Sequence, residues 1–352
     1  MSVITKWWKA ITHWEAWPFK LLYAPLAPLW VFYMMRARGL WFFSSSNPKI
    51  TFGGMDGESK SEIYALMRKE WYPKTIYVEP GDAMAEILNR MQHADIFFPC
   101  VVKPDVACQG ILFRIIHDET SLMQYNAGIP ATYIIQEWVN YPMEVSVYHI
   151  RHPKEKQGIV TGFLHKIPLR VTGDGVSSLE QLVLRHPKAQ KKVEELQLKH
   201  AGAWHDVIAE GKSFSLSHAG NHNRGAQFVD LKQHIDAQLT SLFDAISLEV
   251  GDFFYGRYDI MCNSVEDLKQ GKNFTILEYN GCGAEPNHFY DTGYTLLGAY
   301  REILKHWKWL YRISQFNAKN GHPAWSFQKG RKFIRETMAH YARLRMADAK
   351  IP

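Results

Sequence analysis

Two short stretches concentrate residue types that can do chemistry together: Gly256-Arg257-Tyr258-Asp259-Ile260-Met261-Cys262 and Phe274-Thr275-Ile276-Leu277-Glu278-Tyr279-Asn280-Gly281. Each reads as an apolar strand with polar residues at alternate positions. Successive side chains of a strand point to opposite faces, so Arg257 and Asp259 share one face of the first, and Glu278 and Asn280 one face of the second. If the strands pair, two carboxylates, an amide and a guanidinium converge on one small volume. Carboxylates that close repel unless a cation lies between them. A set of oxygen ligands alone suits Mg²⁺, a hard ion that keeps several waters and shares its shell with substrate phosphates; Mn²⁺ accepts the same set. The plainer alternative is a pair of ordinary strands with polar solvent faces.

Such a site needs elements to position it. The chain has 352 residues, 46% of them hydrophobic and 22% charged, which is ample for a packed core in two or three lobes. Its net charge of +6 is unevenly placed. Residues 301–352 hold 12 Lys and Arg against 3 Asp and Glu, residues 1–41 hold 5 against 1, and the middle is acidic. Basic ends make an anionic membrane surface the expected partner. No nucleic-acid module is recognisable, so nucleic acid is not expected. The four cysteines, Cys100, Cys108, Cys262 and Cys282, form no CxxC pair. A reduced, cytoplasmic protein without a cleavable leader is expected, peripheral on the inner membrane face if its ends bind there.

The segment 1–45 is rich in Trp and other apolar residues. From Trp17 to Met35 it runs nearly the 20 or so residues a spanning helix needs, but it carries Lys20, Pro18, Pro25 and Pro28. Three arrangements stay open: lying on a membrane surface, packing against the rest of the protein or a partner, or spanning a membrane. The turn cluster Ser44-Ser45-Ser46-Asn47-Pro48 marks a boundary. The chain therefore divides into 1–45, 46–300 and a basic helical part, 301–352.

Periodicity predicts helices over 59–70, 83–91, 120–125 with Asp118 as cap, from 178, and over 190–200, 231–247, 295–311 and 329–346. It predicts strands over 75–78, 98–103, 111–116, 132–136, 144–149 and 158–165. Several strands follow one another directly, which predicts α+β lobes rather than a doubly wound sheet.

Read in order, these pieces resemble the ATP-grasp superfamily over about residues 58–295. Phe98-Pro99-Cys100-Val101-Val102-Lys103-Pro104-Asp105 and the following loop look like its phosphate-binding hairpin, and Ser59-Lys60 like its first lysine region. Tyr133-Ile134-Ile135-Gln136-Glu137-Trp138-Val139 resembles the adenine hinge, and Glu144 matches the ribose-binding acid. His165-Lys166-Ile167-Pro168-Leu169-Arg170-Val171-Thr172-Gly173-Asp174-Gly175 is similar to a segment of the cyanophycin synthetase and glutathione-forming branch. Gly256–Asp259 with Glu278 and Asn280 looks like the metal-binding core of D-alanine–D-alanine ligase.

The resemblance implies an ATP-grasp fold, with two α+β lobes gripping ATP, and a carboxylate–amine ligase working through an acyl phosphate. Lys60 and Lys103 would meet the phosphates, under the loop 105–110. Gln136 would lie near the adenine amino group, with main-chain groups of Glu137 and Val139; Ile135 and Ile276 would line the slot. Glu144 would take the ribose, and Lys166 would reach the nucleotide. Asp259, Glu278 and Asn280 would hold one or two Mg²⁺, and Arg257 would stabilise the transferred phosphate. Arg224, in Asn221-His222-Asn223-Arg224, would hold a substrate carboxylate; Glu285 and His288 would hold the amine. The phosphate loop has one glycine where relatives often have several, and only about 58 residues precede Lys60. The alternative from another class is a catalytically silent nucleotide-binding scaffold that docks on a membrane or partner protein. The sequence points to no particular substrate or oligomeric state.

Overall fold

Eleven strands, as described in a computed structural model covering residues 14–108, 110–217, 220 and 225–351, form two main antiparallel sheets and a small ribbon. The first sheet holds β1 (Thr75–Val78), β2 (Cys100–Pro104), β3 (Arg114–Ile116) and β4 (Tyr133–Glu137), in the order β1-β4-β2-β3. The second holds β5 (Met143–Ile150), β6 (Ile159–Ile167), β9 (Gln227–Asp230), β10 (Tyr255–Cys262) and β11 (Phe274–Asn280), in the order β11-β10-β5-β6-β9. The ribbon pairs β7 (Arg170–Thr172) with β8 (Ser213–Ser215).

Each main sheet is apolar on one face. On the first, Cys100, Val102, Tyr133 and Ile135 pack on Ile87 and Met91 of α4 (Met84–His93) and on Leu122 and Tyr125 of α5 (Glu119–Gly128). On the second, Val145, Val147, Phe163, Tyr258 and Ile260 pack on Leu239, Phe243 and Ile246 of α8 (Ala237–Val250). Strand alternation then leaves the opposite faces for polar residues. The short link 138–142 joins β4 directly to β5, so the chain passes from one sheet to the other with no helix between. The α+β class is the one expected.

Several elements differ from expectation. The helix expected over 59–70 is the short α3 (Lys60–Ala65), followed by a 3₁₀ turn, Lys69–Trp71. The helix expected over 231–247 starts at Ala237, because Asp236 caps it by accepting from the Leu239 N–H. The helix expected over 190–200 is a 3₁₀ turn, Ala189–Lys192, and then α7 (Val193–Lys199). Together with α6 (Leu179–Arg185) and the ribbon, α7 builds a satellite with its own core of Leu179, Val183, Leu196 and Trp204. A five-residue helix, α9 (Val265–Lys269), connects β10 to β11.

The N-terminal segment is broken where its prolines fall. α1 (Phe19–Tyr23) gives way to a 3₁₀ turn, Ala24–Leu26, and then to α2 (Ala27–Ala37); Pro25 and Pro28 sit in the first turns, where proline is tolerated. Among the described residues no helix is long and apolar enough to cross a membrane. Instead Trp14, Leu22 and Leu26 pack on Phe289, Ala299 and Ile303, and Tyr33, Phe42 and Phe43 on Leu310 and Ile313. These partners lie mostly on α10 (Leu296–Lys319), which runs unbroken past residue 300. α11 (Phe327–Asp348) returns to the first sheet, where Tyr341 and Leu344 complete its core.

Candidate active site

β10 pairs with β11 so that Arg257 lies opposite Asn280 and Asp259 opposite Glu278. On its other edge β10 places Asp259 opposite Ser146 and Met261 opposite Glu144 of β5, and Glu144 lies opposite Lys166 of β6. Facing pairs share a sheet face, so seven polar side chains from four strands gather on the face away from α8. Arg257 grips Asp259 with two parallel hydrogen bonds, Nε to Oδ1 at 3.1 Å and Nη2 to Oδ2 at 3.0 Å. Its Nη1 donates to the Glu285 carbonyl at 3.2 Å. Lys166 Nζ lies 2.7 Å from Asp259 Oδ1 and 3.3 Å from Glu144 Oε1, and the Asn280 amide donates to Asp259 Oδ2 at 3.2 Å. Burial alone would raise the Asp259 pKa; the charges of Arg257 and Lys166 outweigh it and hold the carboxyl well below the usual range. Burial raises that of Glu144, with Lys166 opposing and Asp259 adding to the rise.

The register slips between Asp259 and Ile260: Asp259 faces Glu278, but Ile260 faces Ile276. Leu277 is therefore the extra residue of a β-bulge, and it reverses the facing of β11. Ile276 turns into the apolar core, fully buried beside Val145 and Ile260. Ile135 likewise belongs to the core on the far face of the first sheet. Neither lines a slot in the cleft; Ile134 is the residue of β4 that packs with the second sheet's core. The bulge carbonyl of Leu277 accepts from the Tyr64 hydroxyl at 2.7 Å. The Gln136 amide donates to Tyr64 Oη at 3.2 Å and to Thr75 Oγ1 at 2.8 Å. Both Gln136 amide hydrogens are thus taken by hydroxyls. The side chain is turned into the protein, 2% exposed, and ties one sheet to the other.

The lysines approach from the opposite side. Ser59 caps α3 by accepting from the Glu62 N–H at 3.0 Å, and this sets Lys60 in the first turn. Lys60 Nζ is 4.0 Å from Glu278 Oε1 and donates to the carbonyls of Asp105 at 3.4 Å and Ala107 at 3.5 Å. The Asp105 carboxylate accepts from the N–H and hydroxyl of Ser61, at 2.8 and 2.6 Å, so the segment that follows β2 is fastened to α3. Lys103 lies opposite Ile134 in β4, on the face away from α4 and α5. Burial and the neighbouring charge of Lys60 push its pKa down to about 8, with Glu278 opposing.

Sequence reasoning missed Glu58. Burial raises its pKa to about 7, with Glu278 and Asp56 adding to the rise. One of its oxygens is buried with no hydrogen-bond partner among the described residues. The only hint was its place in the glycine-rich run ahead of Lys60. Those glycines allow two backbones to touch. Cys282 N–H donates to the Gly53 carbonyl at 3.0 Å and Gly283 N–H to that of Gly54 at 2.8 Å. A Cβ on Gly54, where φ is +73°, would lie 2.7 Å from Gly281 Cα, and one on Gly283 would lie 2.0 Å from the Met55 carbonyl oxygen. Asp259, Glu278 and Asn280 offer oxygen ligands of the type a hard divalent cation takes, with the Asp259 carboxylate engaged here by Arg257, Lys166 and Asn280.

Other expected residues are placed differently from one another. The Glu137 N–H donates to the Lys74 carbonyl at 3.0 Å and its carboxylate accepts from the Lys74 N–H at 2.9 Å, so β4 is paired to its last residue. Val139 follows in the link, half-buried. Gly220 passes so near Glu144 that a Cβ there would lie 2.4 Å from its carboxylate. Arg224 lies outside the described residues. The Glu285 carboxylate accepts from Tyr23 at 2.7 Å and Tyr290 at 3.0 Å. His288 is 5% exposed and faces Glu302. The structure therefore gives the Glu285 carboxylate partners within the protein and buries His288.

No family model matches the chain, and no curated protein is similar to it. Among solved structures its arrangement is similar to that of a bifunctional glutathione synthetase from Pasteurella multocida, at 16% identity and a TM-score of 0.39, over 71% of this chain and 36% of that one. It is also similar to D-alanine–D-alanine ligase from Bacillus anthracis, at 13% identity and a TM-score of 0.42, over 78% and 72% of the two chains. A third likeness is to the ATP-grasp ligase PsnB complexed with minimal precursor, at 15% and 0.38, over 70% and 60%. The match thus spans little more than a third of the glutathione synthetase. Likeness at this level carries no weight about activity.

Proposed function

We propose that the protein is an ATP-grasp ligase that joins a carboxylate to an amine and turns ATP into ADP and phosphate. One observation carries this reading: Lys60 Nζ lies 4.0 Å from Glu278 of the oxygen cluster, and Lys103 of β2 is near enough to Lys60 and Glu278 for both charges to act on it. A buried and a half-buried cation beside a carboxylate-rich face suit a triphosphate with its metal ion. Lys60 and Lys103 bind phosphate oxygens as point charges. Glu144 and Lys166 lie beside Asp259 and hold the nucleotide's ribose end. Asp259, Glu278 and Asn280 would hold Mg²⁺, which neutralises phosphate charge when bound.

A substrate carboxylate oxygen attacks the γ-phosphorus, the bond to the β-phosphate bridging oxygen breaks, and ADP leaves. The amine then attacks the acyl carbon of the acyl phosphate. Phosphate departs and the nitrogen loses a proton. Arg257, anchored by Asp259 and the Glu285 carbonyl, stabilises negative charge in both steps. No covalent enzyme intermediate is required.

The anionic surface expected for the basic ends belongs to the same reading. Phe19, Phe32 and Met35 of α1 and α2 are 65%, 45% and 66% exposed, beside Lys20, Arg36 and Arg38. Phe327 lines the far wall of an open groove of about 650 Å³ that also touches Met35. An apolar face rimmed by cations complements an anionic lipid surface, and a substrate carried in that surface would suit it.

A silent scaffold is favoured by one observation: Asp259 already carries a bidentate Arg257 and a close Lys166. The test is ADP release from MgATP across a panel of carboxylates paired with amines. The ligase reading expects release that needs both substrates and falls at least about 100-fold in Glu278→Gln. ATP binding without turnover for every pair, unchanged by that substitution, favours the scaffold.

A further inference from the structure

Outside the carboxylate cluster, the 3₁₀ turn Asn287–Phe289 sets His288 against α10, where Glu302 and His306 are four residues apart and share a face. One nitrogen from each imidazole and one carboxylate oxygen lie within 4.8 Å of one another. His288 Nε2 is 3.6 Å from Glu302 Oε2, too far for a hydrogen bond. That distance is near the edge of a tetrahedron, about 3.4 Å for metal–ligand bonds of about 2.1 Å. His306 is fully buried and His288 5% exposed. Both nitrogens of His288, Nε2 of His306 and Oε2 of Glu302 are buried without a hydrogen-bond partner among the described residues. Buried polar atoms are rarely left so, and their convergence calls for something that binds them at once.

The surroundings decide which atoms are available. His306 Nδ1 lies 3.4 Å from the Tyr255 hydroxyl, and its ring stands edge-on to Tyr148. With Nδ1 engaged, Nε2 is left as the ligand atom. The His288 Nδ1 side rests on Gly162, where a Cβ would come within 2.2 Å, so Nε2 is left there also. Lys305 Nζ sits 3.5 Å from Glu302 Oε2 but is half-exposed and can turn into solvent.

We propose that His288, Glu302 and His306 bind one Zn²⁺, with water as fourth ligand. Two imidazoles and a carboxylate suit zinc, whereas Mg²⁺ prefers oxygen alone. The ion fastens the turn to α10. Three residues before His288, the Glu285 carbonyl receives Arg257, so the zinc site positions one wall of the candidate active site. Zinc retention is read without ATP, so it stands or falls independently of the ligase reading.

The full chain, purified without chelator and dialysed against metal-free buffer, is analysed for metal by mass spectrometry and titrated with Zn²⁺ and Co²⁺. About one zinc per chain is expected, together with a Co²⁺ form showing the visible bands of a low-symmetry four-coordinate site. Zinc affinity should fall at least about 10-fold in His306→Ala and in Glu302→Gln. Should His306→Ala fail to fold, the partly exposed Glu302→Gln is read alone. Absence of a saturable Zn²⁺ site, or equal affinity in wild type and Glu302→Gln, overturns the proposal.

Discussion

Lys103 carries the charge whose state matters most at working pH. Burial and Lys60 hold its folded pKa near about 8, against about 10.4 for a free lysine. Between those values the unfolded chain binds more protons than the folded one, so stability rises with pH across that window. Phosphates placed on Lys103 restore its proton. ATP binding should therefore take up a proton at about pH 8.5, and affinity should fall by up to about tenfold per pH unit above 8. Calorimetry in buffers of different ionisation enthalpy measures the uptake, which Lys103→Met abolishes. Equal proton counts in both proteins would contradict the assignment. At this scale the alternation of Arg257, Asp259, Glu278 and Asn280 was legible, because a strand's two-residue period maps directly to a face. Ile276 was misplaced because one bulged residue reverses that map, and nothing in Phe274-Thr275-Ile276-Leu277 announces it. Glu58 was missed because a carboxylate in a glycine-rich loop reads as solvated; its burial comes from distant packing.

Among elements, the segment 53–58 and the end of β11 are held together by backbone contact, with no room for side chains. Gly283→Ala would drive a methyl into the Met55 carbonyl. It should cost about 1–3 kcal/mol of stability. It should also weaken ATP binding, since Glu58 and Lys60 move away from Glu278. Chemical denaturation together with ATP titration checks both, and an unchanged midpoint would show that the strands part easily. Two capped helices were legible at their starts: Asp118 accepts from the Ser121 N–H at 2.8 Å, and Ser178 forms a capping box with Gln181; the five-residue α9 was missed although Ser264 caps it. The strands β7 and β8 were not legible, because Arg170, Thr172, Ser213 and Ser215 leave each with a single apolar residue, whereas the similarly short β1 and β3 are mostly apolar. β9, with polar ends at Gln227 and Asp230, was missed likewise. Their pairing is decided by the satellite core.

On the scale of the whole molecule, α10 and α11 link the N-terminal segment to both sheets. Tyr341 donates to Asp56 at 2.5 Å, His340 meets the Val106 carbonyl at 2.9 Å, and Arg114 pairs with Asp348 at 3.1 Å. The basic C-terminal helix, expected at a membrane, thus has one face on the first sheet and its loops, while Arg343 and Arg345 stay exposed. The apolar excess of residues 17–35 was legible, but composition could not divide it into a packed face and an open one. Deleting the segment would strip the core of Leu22, Tyr33 and Phe42, so the outward face must be tested alone. Phe32→Glu with Met35→Glu should reduce flotation with anionic vesicles by about tenfold or more and leave neutral vesicles unaffected. Equal flotation of the two proteins would remove the membrane from the account.

The central claim is that a triphosphate lies between Lys60 and Lys103 on one side and Asp259, Glu278 and Asn280 on the other. Equilibrium binding of a non-hydrolysable ATP analogue, with and without Mg²⁺, tests it most directly. The account predicts Mg²⁺-dependent binding of one nucleotide per chain, weakened at least about tenfold by Lys103→Met and made indifferent to Mg²⁺ by Glu278→Gln. No binding, or binding that ignores the metal and both substitutions, would contradict it.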